Sequence, residues 1–304
     1  MIVRVLGSAA GGGFPQWNCN CSNCSGLRKG LIKAQPRTQS SVAVSDNGKT
    51  WVIIDASPDI RTQIEGFAPF QPGRAVRDTA IAGVVLVDSQ IDHATGLLFL
   101  REGKPLHVYC TDMVYEDLTT GFPVLNMLAH YCGVQRHRIE VNGDGEFAIP
   151  DLPGVRFVAV PLDSKAPPYS PHRHNPHIGD TIGVLLEDRQ SGKRLLYAPA
   201  LGRAEPRVLA LMEQVDCVLT DGTCWRDDEL QLAGISNRRA TEMGHLPQSG
   251  PGGMIEVMRG VKRPRKVLTH INNTNPILRD DSPERAQLTV EHIEVAFDGM
   301  EIAL

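Results

Sequence analysis

The sequence predicts an α/β fold on three observations: short apolar runs rich in β-branched residues, polar clusters where those runs stop, and glycine turns leading into helix-like segments. Val84 to Val87 is the leading case, running into Asp88-Ser89-Gln90-Ile91-Asp92-His93. An uninterrupted β-branched run is the pattern of a strand covered on both faces. The polar cluster then sits at the strand's carboxyl end, where open α/β sheets gather reactive groups. Val215 to Leu219 stops in the same way at Asp221-Gly222, and Lys266 to Thr269 stops at His270. A chain of 304 residues, 41% of them hydrophobic, can bury a sizeable core, and one domain over residues 1–304 is expected.

Composition narrows the partners. A net charge of -4 and a pI near 6.2 give no reason to expect nucleic acid or anionic membrane. No apolar run reaches the roughly 18 residues of a membrane-spanning helix, so no membrane insertion is expected. The opening Met1-Ile2-Val3-Arg4-Val5-Leu6-Gly7 turns to glycine too soon for a signal peptide and reads as a first strand. A cytoplasmic location follows as an expectation, in which the seven cysteines stay reduced and serve as metal ligands or core residues.

Taken in order, the first strand leads to Gly11-Gly12-Gly13, which either lets backbone amides approach an anion or bends the chain sharply. Cys19, Cys21 and Cys24 follow as a C-x-C-x-x-C cluster whose thiolates can converge on a structural zinc, leaving one tetrahedral position vacant. Asn47-Gly48 between Ser41–Val44 and Trp51–Asp55 predicts a hairpin. Ile60 to Phe67 reads as a short helix, Gly96 to Leu100 as the start of another, Leu106–Cys110 as a strand and Asp112–Thr119 as a helix. Cys132 closes a helix without evident function. Val155–Pro161, Thr181–Leu186 and Arg194–Pro199 make the second half strand-rich. Between the first two of these, the proline-rich segment with His172, His174 and His177 is either a site-facing loop or an exposed one.

Asp92, His93 and His270 each end an apolar strand, as a shared rim requires, and are the candidate active-site metal ligands. The stretch from Asp88 to His93 resembles the H-x-H-x-D-H segment of the metallo-β-lactamase superfamily. Asp92 and His93 match it, while Asp88 and Gln90 stand where the two leading histidines belong. The resemblance implies an αββα four-layer sandwich. It makes Asp221 the strand-end carboxylate that can bridge metals and His270 the final ligand. Met243-Gly244-His245-Leu246-Pro247 resembles the Gly-His segment of the nuclease and phosphodiesterase branch. In the branch carrying an extra zinc, a histidine three residues after the last active-site histidine completes the cysteine site; this chain has Asn273 there, leaving its amide oxygen or a water for the fourth position.

Over essentially the whole chain, from Met1-Ile2-Val3-Arg4-Val5-Leu6-Gly7-Ser8-Ala9-Ala10-Gly11-Gly12-Gly13-Phe14-Pro15-Gln16-Trp17-Asn18-Cys19 through Ser89-Gln90-Ile91-Asp92-His93 to Thr269-His270-Ile271-Asn272-Asn273-Thr274-Asn275-Pro276, the sequence is similar to the pyrroloquinoline quinone (PQQ) biosynthesis protein B family. The family implies an iron- and oxygen-dependent hydroxylation of the tyrosine ring of a Glu-Tyr cross-linked precursor, in the cytoplasm. Carriage of PQQ or its precursor towards the periplasm and metal-dependent hydrolysis are the alternatives. One carboxylate and two imidazoles suit iron(II) with open positions, with zinc able to replace it. Within that reading Asp88 or His245 moves protons, Asp221 ligates or orients, and Arg173 or the Gly11–Gly13 backbone meets substrate carboxylates.

Overall fold

A computed structural model describes residues 1–304. Its backbone forms two seven-stranded sheets. The first sets β1 (Ile2–Gly7), β2 (Ser41–Ser45), β3 (Trp51–Ile54), β4 (Ile81–Val85), β5 (Leu106–Cys110) and β6 (Val134–Arg138) side by side in chain order. The second does the same with β7 (Glu146–Phe147), β8 (Val155–Pro161), β9 (Ile182–Asp188), β10 (Arg194–Ala198), β11 (Cys217–Asp221), β12 (Arg265–Thr269) and β13 (Ile293–Val295). A last short strand, β14 (Glu301–Ile302), returns to pair antiparallel with β1.

Each sheet starts antiparallel and turns parallel. β1 to β3 and β7 to β10 are antiparallel neighbours, whereas β3 to β6 and β10 to β13 are parallel. Parallel neighbours end at one rim, so the carboxyl ends of β3, β4, β11 and β12 can all contribute to one site.

Burial follows the residue patterns. β2, β3 and β11 are buried along their whole length, as strands covered on both faces are. β8 alternates between buried and half-buried residues, and one face of it is open. The predicted hairpin forms at Asn47-Gly48, where Gly48 has φ 71° and Asn47 Oδ1 accepts from the Lys49 and Thr50 amides at 2.8 and 2.9 Å.

A single apolar cluster holds the sheets face to face, with Val5, Val44 and Ile54 of the first meeting Phe157, Leu186 and Leu219 of the second. Helices cover both outer faces. Val114, Leu118 and Leu128 lie against Val84 and Val108, and Met212, Met254 and Leu288 lie against Leu196 and Leu268. The result is the four-layer helix, sheet, sheet, helix sandwich. Burying each large aliphatic side chain contributes about 1.5–3 kcal/mol, which is why the layers close on these residues. No helix is long and apolar enough to cross a membrane.

Two local expectations are corrected. The ladder of β4 stops at Val85, not Val87, because the Val87 amide donates to Asp55 Oδ1 at 3.0 Å. Asp92 and His93 lie within a short helix, Ile91–Ala94, ahead of the 3-10 turn Thr95–Leu100 that takes the place of the helix expected from Gly96. All seven cysteines are free, and Cys132 is half-buried with its thiol against the Gly133 carbonyl.

Candidate metal centre

The helix Ile91–Ala94 follows β4 directly and turns Asp92 and His93 back over the strand ends. His270 follows β12 with left-handed backbone, φ 54°, and Asp55 follows β3 with φ 65°. Non-glycine residues pay strain for that conformation, and here it swings both side chains out of the ladder at the common rim. Gly11 passes so close that a Cβ there would lie 3.2 Å from Asp92 Oδ2. The glycine run thus serves a close approach to Asp92; its Gly12 amide donates to Gln39 Oε1 at 2.9 Å.

Asp92, His93 and His270 offer one ligand atom each, and these lie within 4.8 Å of one another. His270 Nε2 is 3.3 Å and His93 Nε2 3.9 Å from Asp92 Oδ2. Around an ion at about 2.1 Å, neighbouring ligand atoms stand roughly 3–3.5 Å apart, so the spacing suits a shared cation.

The tautomers agree with that. His93 Nδ1 donates to Asp88 Oδ1 at 2.7 Å. The Thr223 hydroxyl donates to the His270 carbonyl at 3.0 Å, so its oxygen accepts from His270 Nδ1 at 2.9 Å. In the neutral form that metal ligation requires, both rings therefore turn Nε2 inward as the free ligand atom. His93 Nε2 is buried without a hydrogen-bond partner, and His270 Nε2 faces a carboxylate oxygen, another acceptor. An ion between them resolves both contacts.

Electrostatics point the same way. Burial would push the His93 ring down, yet Asp88, Asp55 and Asp92 hold it well above its ordinary value. Burial would raise the Asp92 carboxyl, and His93 and His270 hold it well below. The rim is a buried, net-negative seat for positive charge.

A second group shares His270. Asp221 and His245 complete it within the same 4.8 Å limit. The Asp221 oxygens already accept from the Leu201 amide at 2.9 Å, the Thr223 amide at 2.9 Å and His245 Nδ1 at 2.7 Å. His245 is left with Nε2 for the cavity. Of the residues standing where leading histidines were expected, Asp88 Oδ1 accepts from His93 Nδ1 and from the Gln90 amide at 2.9 Å. The Gln90 side chain donates to the Lys165 carbonyl at 3.1 Å. Asp88→Asn should weaken metal binding about 10–100-fold by loosening the His93 ring, read as a shift in the metal competition curve against a chelator.

These residues open on a cavity of about 250 Å³, near the small end for ligand pockets. Two long loops wall it. One, between β8 and β9, brings Ser164, Pro168 and Arg173; the other, between β11 and β12, brings Leu230, Arg238 and Met243. Ser164 Oγ donates to the Gly244 carbonyl at 3.0 Å and Lys165 Nζ to the Glu242 carbonyl at 2.9 Å, fastening wall to wall. The histidines of the proline-rich loop do not reach the cavity. His172 bonds Glu116 at 3.0 Å and His177 meets the Met113 sulfur, while Arg173 of the same loop lines the site.

Thr223, Arg238 and Leu230 were not singled out from sequence, and Met243 entered only as a neighbour of the Gly244-His245 pair. Thr223 was detectable as the residue two after a strand-end aspartate, where it can bond back to the turn. Nothing in the polar stretch around Arg238 marked it.

Cys19, Cys21 and Cys24 also converge within 4.8 Å. Cys21 caps the helix Ser22–Arg28, folding the chain tightly around the sulfurs. Asn273 stands at their centre, with Nδ2 3.1, 3.7 and 3.3 Å from the three in turn. The ligand atom of an asparagine is its amide oxygen; here the nitrogen faces the sulfurs, and a half-turn of the amide exchanges the two. Burial pushes the Cys24 thiol up to about 11. Three sulfurs so arranged fit a closed, thiolate-rich zinc site. Asn23 donates to the Asn273 and Asn275 carbonyls at 3.1 and 2.9 Å, joining the cysteine loop to the segment after His270.

Glu229 secures the same segment by accepting from the Thr274 hydroxyl and, at 2.5 Å, from the Trp225 amide. Burial pushes its carboxyl up to about 7, with those bonds pulling it back. Between the ordinary glutamate value and about 7 the folded protein keeps a proton that the unfolded chain has lost, so stability falls as pH rises through that window. The loss is about 3 kcal/mol at most. Urea midpoints at pH 5 and 8 should differ less in Glu229→Gln than in the parent.

A sequence model of the β-lactamase superfamily domain matches residues 50–271. The coenzyme PQQ synthesis protein B of Methylobacillus flagellatus is 62% identical over 305 residues, and that of Stutzerimonas stutzeri 61% over 304, each alignment covering all of both chains. The crystal structure of zinc-bound PqqB from Methylobacterium extorquens superposes over all of both chains with a TM-score of 0.90 at 36% identity. A diphosphatase of the PhnP family shares the fold at TM-score 0.67 and 19% identity, over 99% of this chain and 96% of the other.

Proposed function

The chain belongs to the coenzyme PQQ synthesis protein B family of the β-lactamase superfamily and acts in PQQ biosynthesis, and on that premise we propose that its cavity carries out iron- and oxygen-dependent hydroxylation of the tyrosine ring of a Glu-Tyr cross-linked precursor. One observation supports this over hydrolysis at two metals. The residues in place of the leading histidines are committed elsewhere, Asp88 to His93 and Gln90 to the Lys165 carbonyl. What remains is one carboxylate and two imidazoles, Asp92, His93 and His270, with an open face on the cavity. Iron(II) in such a set supplies oxygen activation.

The other residues have separable duties. Asp88 orients His93, and Asp221 orients His245, as carboxylates behind a ligand ring commonly do. His245 Nε2 faces the cavity as the proton carrier for the ring oxygen. The fastened walls limit water around the substrate. The cysteine site holds zinc and shapes the loop.

The hydrolase reading draws on the second group, Asp221, His245 and His270. One experiment separates it, and a carrier, from the hydroxylase. Protein loaded anaerobically with iron(II) is given the cross-linked precursor and ascorbate as a two-electron donor, and then oxygen. Oxygen uptake with a product heavier by one oxygen, the other oxygen atom leaving as water with the donor's two electrons, supports the proposal. Precursor binding without oxygen uptake overturns it in favour of a carrier, and zinc- or manganese-dependent cleavage of a model phosphodiester favours the hydrolase.

A further inference from the structure

Arg173 and Arg238 reach the cavity from different walls. Neither forms a salt bridge, although the adjacent Arg239 pairs with Asp227 at 3.1 Å. The only side-chain bond of Arg173 goes to the Ala166 carbonyl, which aims the guanidinium without neutralising it. The cavity's two carboxylates are occupied, Asp88 with His93 and Asp92 among the candidate ligand rings. The site therefore has a metal-holding pole and, apart from it, two uncompensated planar cations, with Leu230 and Met243 supplying apolar surface. Guanidinium groups bind carboxylates in a fixed two-pronged geometry, and partner-free ones at a cavity wall call for anions from the ligand.

We propose that Arg173 and Arg238 form a two-armed clamp for a ligand with at least two separated carboxylates on an apolar aromatic body. The inference rests on the reading of this cavity as the substrate site. The ties Ser164–Gly244 and Lys165–Glu242 join the loops that carry the two arms, which sets the span between them and hence the spacing of carboxylates accepted. With the carboxylates held, the aromatic ring is left to face Asp92, His93 and His270. Both arginines act as positioning and specificity residues.

The test reads binding, not turnover. PQQ, which carries three carboxylates on a fused aromatic body, and its trimethyl ester are titrated without oxygen into zinc-loaded protein. Arg173→Gln and Arg238→Gln should each raise the Kd for PQQ about tenfold and the double variant about a hundredfold, while Arg238→Lys recovers part of the loss. Affinity for the ester should stay within about twofold, and added salt should weaken PQQ binding more in the parent than in the double variant. Parent-like PQQ affinity in either single variant, or equal loss for acid and ester, overturns the clamp even where hydroxylation is demonstrated. Clamp-like binding in a protein that hydroxylates nothing supports the clamp and rejects only the reaction.

Discussion

On the proposed reaction, replacing His93 by alanine should abolish metal uptake at the rim and lower precursor hydroxylation by on the order of a thousandfold or more, since a bound metal contributes several kcal/mol to such a reaction. The ring is buried, its Nδ1 takes the Asp88 carboxylate and its Nε2 meets no protein partner. The substitution also strands Asp88 in the interior, at a stability cost of about 3–5 kcal/mol. His93→Gln leaves a donor near Asp88 and separates the two effects. It should fold more stably than the alanine variant yet stay inactive. Elemental analysis after iron loading gives the decisive number. One equivalent of metal should vanish while the zinc of the cysteine site stays, and retention of full iron occupancy by either variant would reject His93 as a ligand.

The second large effect lies at the cysteines. Cys24→Ser should release the zinc and lower the melting temperature by about 5 °C or more, since closed thiolate sites supply folding free energy directly. Cys24 is buried against the Asn273 amide, and Asn23 bonds the Asn273 and Asn275 carbonyls. His270 is only three residues upstream of Asn273, so loss of the zinc should also weaken iron binding at the rim, visible as a lower competition constant in the same variant. An unchanged melting temperature with zinc removed would show that the loop holds itself.

Much of this was legible in the sequence wherever one residue's chemistry decides a local outcome. Short apolar runs stopping at a polar residue marked β4, β11 and β12, and the Asn47-Gly48 pair marked its hairpin. The convergence of Asp92, His93 and His270 was readable because each lies in the segment that follows a strand, His270 directly after β12 and the other two in the helix after β4. The short helix Ile91–Ala94 was not readable, since four residues cannot show a helical period. β6, with the polar sequence Val134-Gln135-Arg136-His137-Arg138, carries no strand pattern, because an edge strand need not be apolar. The histidines from 172 to 177 show a further limit: composition placed them in a loop, but packing against Glu116 and Met113 turned them from the site while their neighbour Arg173 faced it. Arg238 is recognised only by the partner it lacks, which is a property of the folded surroundings.

The ties between the cavity walls are lopsided. Ser164 and Lys165 donate from their side chains, whereas Gly244 and Glu242 accept through main-chain oxygens that any residue provides. At position 244 the backbone angle of 91° still asks for glycine, but position 242 owes the tie nothing. Sequence drift at this doorway is therefore free at position 242 and costly at 164, 165 and 244, so the opening can keep its width while one post of its frame changes identity.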